Sequence, residues 1–229
     1  MKNQQTLLSI LFVILTLNTA KAQNLMGGVV GNVGFSKVTS DVPISGNYKV
    51  KFTLSGNLGV FLEKRISEKS SLGMEALWVQ MEGKEVTKDK ALIGIEGEQI
   101  VTVGVISDKA NLHSSYLGLP FYYRLRLGKL GVKAGVQPMI FLFASSNYEA
   151  SGEVFNEPYF TESRTKDISF KSVDIGPKVG VDYQLNDKFR LRVDYYHGLT
   201  DITMDSFPWQ RKNRQFCIGA NYLFGGKGW

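Results

Sequence analysis

Alternation of apolar and polar residues runs through most of the chain and limits it to an all-β fold. Residues 189–198, FRLRVDYYHG, place Leu191 and Val193 on one side of an extended strand and Arg190 and Arg192 on the other. Most of the segments with this period span about 13 residues or more, against about five or six for an ordinary strand. There are eight of them, near 25–38, 50–65, 70–82, 113–127, 130–146, 170–186, 188–200 and 213–225.

The links between these segments alternate in length, which indicates how the strands are connected. Three links are tight enough for hairpin turns, at residues 67–70, 128–129 and 186–187. The links that alternate with them are longer, at residues 39–49, 83–112, 147–169 and 201–212. Short turns at one end and long loops at the other predict an all-β, eight-stranded antiparallel up-and-down transmembrane β-barrel, with the turns in the periplasm and the loops outside the cell.

Three prolines fall inside the predicted strands, at Pro120, Pro138 and Pro177. Proline has no backbone N–H, and a closed barrel has no unpaired edge strand in which that missing donor would cost no hydrogen bond. These positions therefore predict bulges or places where strand pairing stops.

The composition of the polar faces predicts which side of the barrel faces inward. On the sixth segment, charged residues are separated by Gly176 and Gly180. Glycine weakens a strand unless space is short, and an eight-stranded barrel is only wide enough for its own side chains. We therefore expect the apolar faces to meet lipid and the charges to form a paired network in the lumen: Arg124, Arg126, Lys133, Asp174, Lys178, Asp182, Arg190, Arg192 and Asp194.

The first residues predict export from the cytoplasm. Lys2 precedes an apolar run over 7–17, which is too short to span a bilayer of ~30 Å as a helix. Small residues at Ala20 and Ala22 then form a signal-peptidase site. We predict a signal peptide over residues 1–22 and an outer-membrane β-barrel domain over residues 23–229.

Charge and cysteine content argue against several other classes of protein. Loss of Lys2 and Lys21 with the signal peptide lowers the formal charge from +6 to +4, which is too small an excess to indicate a nucleic-acid partner. Cys217 is the only cysteine, so a disulfide scaffold and a multi-cysteine metal site are excluded. No cluster has metal-ligand spacing, and no cofactor is expected.

Three stretches resemble a known family. YLGLPFYYRLRLG at 116–128, VDIGPKVGVDYQLNDKFRLRVDYYHGLTDI at 173–202 and FCIGANYLFGG at 216–226 resemble the PorT-like outer-membrane β-barrel proteins of the Bacteroidota. The resemblance covers essentially the whole mature chain, and its motifs are structural. The resemblance implies residence in the cell outer membrane. The family takes its name from a member that assists protein secretion, so a role in secretion is one expectation.

The leading functional expectation is a structural, docking or assembly component without an open pore. The link at 83–112 alternates around its middle and predicts a hairpin that rises above the membrane. Such a hairpin either binds a protein partner or is only an elongated, solvated ribbon. Two other classes stay open. A lipid-modifying enzyme would use His113 with Ser114 or Ser115, or His197 with Asp201, and a secreted lipocalin-like carrier would turn its apolar faces inward around a ligand. The oligomeric state is not predicted.

Overall fold

A computed structural model of the chain describes residues 25–40, 47–96, 99–166, 168, 170–204 and 210–224. The predicted signal peptide lies outside the described residues and stays a prediction. None of the described segments forms a helix that is long and apolar enough to cross a membrane. The strands are β1 Leu25–Ser40, β2 Asn47–Lys51, β3 Thr53–Arg65, β4 Ser70–Glu96, β5 Gln99–Gly118, β6 Phe121–Leu127, β7 Leu130–Val154, β8 Glu157–Lys166, β9 Val173–Gln184, β10 Phe189–His197 and β11 Arg211–Phe224.

The strands close into a ring of eight positions. β1 pairs with β3 on one side and with β11 on the other, and every pairing is antiparallel. Around the ring the order is β1, β3, β4, β5 followed by β6, β7, β9, β10 and β11. Apart from β2 and β8, which pair only with β4 and β7, the strands follow one another around the ring in chain order, with β5 and β6 sharing one position. The up-and-down, eight-stranded barrel predicted from the sequence is therefore confirmed.

Side-chain burial shows which face of each strand points into the barrel. On β10, Leu191 and Val193 are 47% and 38% exposed, whereas Arg190 and Arg192 are 1% and 2% exposed. The same alternation is present on β6 and β9. On these strands the inward face is therefore polar and the outward face apolar, which is the reverse of the lipocalin-like arrangement.

The prolines interrupt hydrogen bonding without shifting the register. The Leu119 N–H donates to the Pro138 carbonyl, and the Glu75 N–H donates to the Pro120 carbonyl, both at 2.9 Å. Neither proline has an N–H to return, so the ladder is broken between β5 and β6. The register with β4 and with β7 is the same on both sides of this gap. Pairing of β9 with β10 also ends one residue short of Pro177. The prolines mark gaps in pairing and not bulges.

Part of the wall rises well beyond the rest at the long-loop end. The predicted hairpin at 83–112 is confirmed, because β4 and β5 pair as far as Glu96 and Gln99. The link at 147–169 is not a plain loop, because β7 and β8 form a second hairpin there. Its turn has φ angles of 53° at Phe155 and 64° at Asn156. Two central residues with positive φ give a tight turn that matches strand twist.

We call this raised part of the wall the crown. It consists of β2, the upper parts of β4, β5 and β7, and β8, paired in that order. β10, in contrast, ends at His197. The barrel is therefore tall on the β4–β8 side and low where β10, β11 and β1 meet.

Candidate functional site

The lower lumen, near the short turns, holds a cluster of four charged side chains. Arg124 Nη2 lies 2.6 Å from Asp182 Oδ1, and Arg124 Nη1 lies 3.4 Å from Glu63 Oε1. Arg190 Nη1 lies 2.8 Å from Glu63 Oε2, and its Nε lies 3.6 Å from Asp182. Ser71 also donates to Glu63 at 2.7 Å. Two arginines and two carboxylates make this cluster formally neutral.

A second cluster lies above it, in the middle of the barrel. Arg192 lies 2.9 Å from Glu75 Oε1 and 2.5 Å from Asp194 Oδ2. Lys133 Nζ lies 2.9 Å from Asp194 Oδ1, and Lys178 Nζ lies 3.3 Å from Glu75 Oε2. Three cations and two carboxylates leave this cluster with a formal charge of +1.

Two glycines provide the space for these side chains. A β-carbon at Gly131 would lie 2.6 Å from both Arg124 Nε and Asp182 Oδ1. A β-carbon at Gly180 would overlap the Asp194 carboxylate. Glycine between charges on the inward face is thus needed for the close approach of the ion pairs across the lumen.

The remaining two residues of the predicted network lie elsewhere. Arg126 is half-buried at the short-turn end, where its Nε donates to the Gly128 carbonyl at 2.7 Å. Asp174 is fully buried toward the long-loop end and accepts a hydrogen bond of 2.9 Å from Asn213 Nδ2. Asn213 also donates to Tyr116 at 3.3 Å. Asp174 therefore belongs to an amide-rich upper layer and not to the two charge clusters.

Two carboxylates of the clusters, Glu63 and Glu75, are absent from the network predicted from the sequence. Glu63, on β3, bridges both arginines of the lower cluster, and Glu75, on β4, bridges Arg192 and Lys178. Both carboxylates are at most 2% exposed. The available signal was their position on the inward face of a strand, which is the same signal that marked the cations.

This arrangement pairs buried charges of opposite sign across the barrel. Removing one partner of a buried ion pair typically costs ~3–5 kcal/mol, because the remaining charge stays buried without compensation. The clusters join β3, β4, β6, β7, β9 and β10 across the lumen. They therefore connect strands that are not neighbours in the ring.

The candidate catalytic pairs from the sequence are not brought together. His113 Nδ1 lies 3.1 Å from Glu82 Oε1 on the outer face, whereas Ser114 is 3% exposed and donates to the Met81 carbonyl. Ser115 is buried at an irregularity in the β5–β7 pairing. The structure also holds no group of three or more potential metal ligands among the described residues.

The second pair is separated in the same way. His197 Nδ1 lies 3.0 Å from the Tyr195 hydroxyl. Asp201 accepts hydrogen bonds from the backbone N–H groups of Arg211 and Thr203, at 2.9 and 3.0 Å. Partial burial raises the pKa of Asp201, but these hydrogen bonds outweigh it and hold the pKa below its usual value. The carboxylate therefore holds the backbone at Thr203 and Arg211 in place.

The crown is a five-stranded sheet with exposed aromatic residues at one hairpin tip. Phe155 and Phe160 are 73% and 71% exposed, and Tyr159 is 39% exposed. β8 pairs with β7 on one side and has no partner on the other among the described residues. This strand is therefore a solvent-exposed sheet edge of ten residues.

Several solved structures are similar to this chain in fold. The attachment invasion locus protein Ail of Yersinia pestis has 10% identity and a TM-score of 0.40, with 88% of this chain and 99% of Ail covered. Neisserial surface protein A has 12% identity and a TM-score of 0.40, with 86% and 97% covered. The outer membrane protease OmpT of Escherichia coli has 11% identity and a TM-score of 0.39, with 88% and 95% covered.

The match to a protein family covers most of the chain, whereas the solved structures share little sequence with it. No curated protein matches the chain in sequence. The family described as outer membrane protein beta-barrel domain matches residues 21–204, which is most of the chain and includes ten of the eleven strands in full. A closed antiparallel barrel with an apolar outside and a charged lumen agrees with that match. The protein resides in the outer membrane, and the chain belongs to the outer membrane protein beta-barrel domain family.

Proposed function

We propose that this protein is a non-enzymatic docking component of the outer membrane, in which the barrel anchors the crown and the crown binds a partner protein. The observation that carries this proposal is the unpaired outer edge of β8. Unpaired backbone groups on a sheet edge are a template for an added strand. The filled lumen supports an anchoring role and not a conducting one.

The geometry of the β7–β8 hairpin identifies which groups face the free edge. The Phe155 N–H donates to the Val103 carbonyl on β5 at 2.8 Å. Because backbone groups alternate sides along a strand, Val154 faces β8 and pairs with Glu157 across the turn. The same alternation directs the N–H groups of Phe160, Glu162, Arg164 and Lys166 toward the open side.

The hairpin at 83–112 is part of the same surface, but most of its edges are covered. β2 pairs with β4 over Lys84–Lys88, and β7 pairs with β5 over Gly104–Leu112. The residues of β4 beyond Lys88 have no partner on their outer side among the described residues. We therefore place the main docking edge on β8 and assign the 83–112 hairpin to the sheet that supports it.

Edge charges make this surface selective. Glu157, Glu162, Arg164 and Lys166 carry both signs along β8, and such charges keep an exposed edge from pairing with itself. A partner strand with complementary charges would lose no energy to like-charge contacts. The resemblance to PorT-like proteins of the Bacteroidota is compatible with a partner in protein secretion, which we include in the proposal.

A photo-crosslinker placed at Arg164 in living cells tests this function. We expect an adduct with a defined partner, and we expect Glu162→Pro to abolish the adduct. Proline removes an outward N–H without removing a β7–β8 hydrogen bond, and sheet edges tolerate it. A crosslinker at Lys69, in the turn between β3 and β4, is the matched control. An adduct from folded Glu162→Pro protein as strong as that of the parent would contradict edge pairing.

A further inference from the structure

The low side of the barrel carries a row of basic side chains on its outer face. Lys37 on β1 lies directly opposite Arg214 on β11, and Arg214 lies directly opposite His197 on β10. Lys212 follows on the same face of β11, opposite Thr39. All four basic side chains are half-buried against the wall. We call these four residues, Lys37, His197, Lys212 and Arg214, the basic row.

The basic row sits at the upper boundary of the apolar band. The outward neighbours one step below are Phe35, Phe216 and Tyr195, and they too are directly opposite one another. All three are between 38% and 53% exposed. Aromatic side chains at such a boundary mark the level of the lipid headgroups. Because β10 ends here, the row lies at the outer-leaflet interface and not on the crown.

The like charges of the basic row repel one another when no ligand lies between them. Like charges directly opposite each other destabilise a strand pair. No carboxylate among the described residues lies within salt-bridge distance of Lys37, Lys212 or Arg214. Arg214 Nε is shielded from solvent and has no hydrogen-bond partner within the described part of the chain. Lys37 Nζ lies 4.7 Å from the centre of the Phe52 ring, which fixes its stem along the wall.

The fourth member of the row, His197, is hydrogen-bonded to a neighbouring tyrosine on β10. The Tyr195 hydroxyl lies 3.0 Å from His197 Nδ1. When the hydroxyl donates to Nδ1, the neutral imidazole carries its proton on Nε2. His197 then adds a neutral donor beside the guanidinium of Arg214.

We propose that the basic row binds the phosphate group of an outer-leaflet lipid whose acyl chains lie against Phe35, Phe216 and Ile218. A phosphate supplies the negative charge and the acceptor oxygens that this row lacks, and arginine binds phosphate oxygens with parallel N–H donors. Juxtamembrane lysines and arginines are attracted to anionic headgroups in the same way. The apolar groove below the row, lined by Gly31, Val33, Leu58, Trp78 and Ile218, accepts the acyl chains.

Native mass spectrometry of the detergent-purified barrel tests this site with three probes. They are diphosphoryl lipid A, the same lipid with its phosphates removed, and inorganic phosphate. We expect the phosphorylated lipid to bind at least tenfold more tightly than the dephosphorylated lipid. We expect inorganic phosphate at the same concentration not to displace it, because the acyl chains contribute to binding. Equal binding of the two lipids would overturn the proposal, and so would full displacement by inorganic phosphate, which would identify a free anion as the ligand.

Variants locate the site. Lys37→Gln combined with Arg214→Gln should weaken binding of diphosphoryl lipid A at least tenfold and should remove the preference for the phosphorylated lipid. Lys64→Gln is the matched control, because Lys64 is an outward-facing, exposed cation at the short-turn end of β3. Unheated gel mobility verifies that each variant is folded. Parent-like binding by the folded double variant would refute the assignment, and the two-lipid comparison on the parent protein decides the phosphate requirement without any variant.

Discussion

Removal of the Glu63 carboxylate is the sharpest test of the lumen network. Glu63 is fully buried and contacts Arg124 at 3.4 Å and Arg190 at 2.8 Å. Glu63→Gln keeps the volume of the side chain and its ability to accept a hydrogen bond from Ser71. It changes only the charge, so the lower cluster goes from neutral to +1.

The expected loss follows from what remains around the two arginines. Asp182 still lies 2.6 Å from Arg124 and 3.6 Å from Arg190, so neither cation loses every partner. We therefore expect the lower end of the range for breaking a buried pair, about 3 kcal/mol. Glu63→Gln combined with Arg190→Met restores neutrality and should recover about 1–2 kcal/mol of this loss.

The assay is folding into lipid bilayers across a urea series, followed by the mobility of unheated samples on gels. Glu68→Gln is the control, because Glu68 is exposed in the turn that follows β3. It should change the free energy of folding by less than about 0.5 kcal/mol. The reasoning fails if Glu63→Gln folds like the control, or if the double variant is less stable than the single variant. The first result would mean that the Glu63 charge contributes little to stability, and the second that the net charge of the lower cluster is not what sets its stability.

Three further outcomes follow from the same geometry. Val193→Arg places a charge on the lipid-facing side of β10 and should cost about 2–4 kcal/mol of folding free energy. Thr53→Arg, on the inward face of β3, should cost clearly less in the same urea series. The opposite order would mean that the inward and outward faces are assigned the wrong way round. Planar-bilayer recordings should show no stable ohmic conductance, because side chains fill the lumen, and wide, steady channels would contradict this. The Asp201 pKa is lowered on folding. Its stabilising contribution is therefore present at pH values above the ordinary pKa near 3.9 and is lost as the pH falls through the folded pKa. A carboxyl-carbon NMR titration should show a midpoint below about 3.9, and a midpoint at or above about 3.9 would exclude the hydrogen-bonded carboxylate.

The sequence by itself determined the class of fold and the inside and outside of the wall. A two-residue period is a local property, since successive side chains on any strand point to opposite faces. Once glycine and charge marked one face as crowded, the orientation of Arg190, Arg192 and Asp194 followed without knowledge of any contact. The alternation of short and long links likewise fixed the order of neighbouring strands.

The second hairpin of the crown, formed by β7 and β8, required the tertiary structure. The segment around Phe155 has no common turn signal, because phenylalanine rarely adopts a positive φ. Its hairpin forms because β7 already pairs with β5 and offers a second edge to β8. Long-range pairing decided what local sequence left as a loop.

Only the tertiary structure decided which charges meet. Periodicity placed Arg124, Arg190 and Asp182 on inward faces but did not show that Glu63 would join them, or that Asp174 would bond to Asn213 instead. Contacts across the lumen depend on the tilt and stagger of the closed barrel, which set the height of each inward residue. These quantities belong to the ring as a whole, because one strand's period fixes the direction of its side chains and not their height relative to the opposite wall.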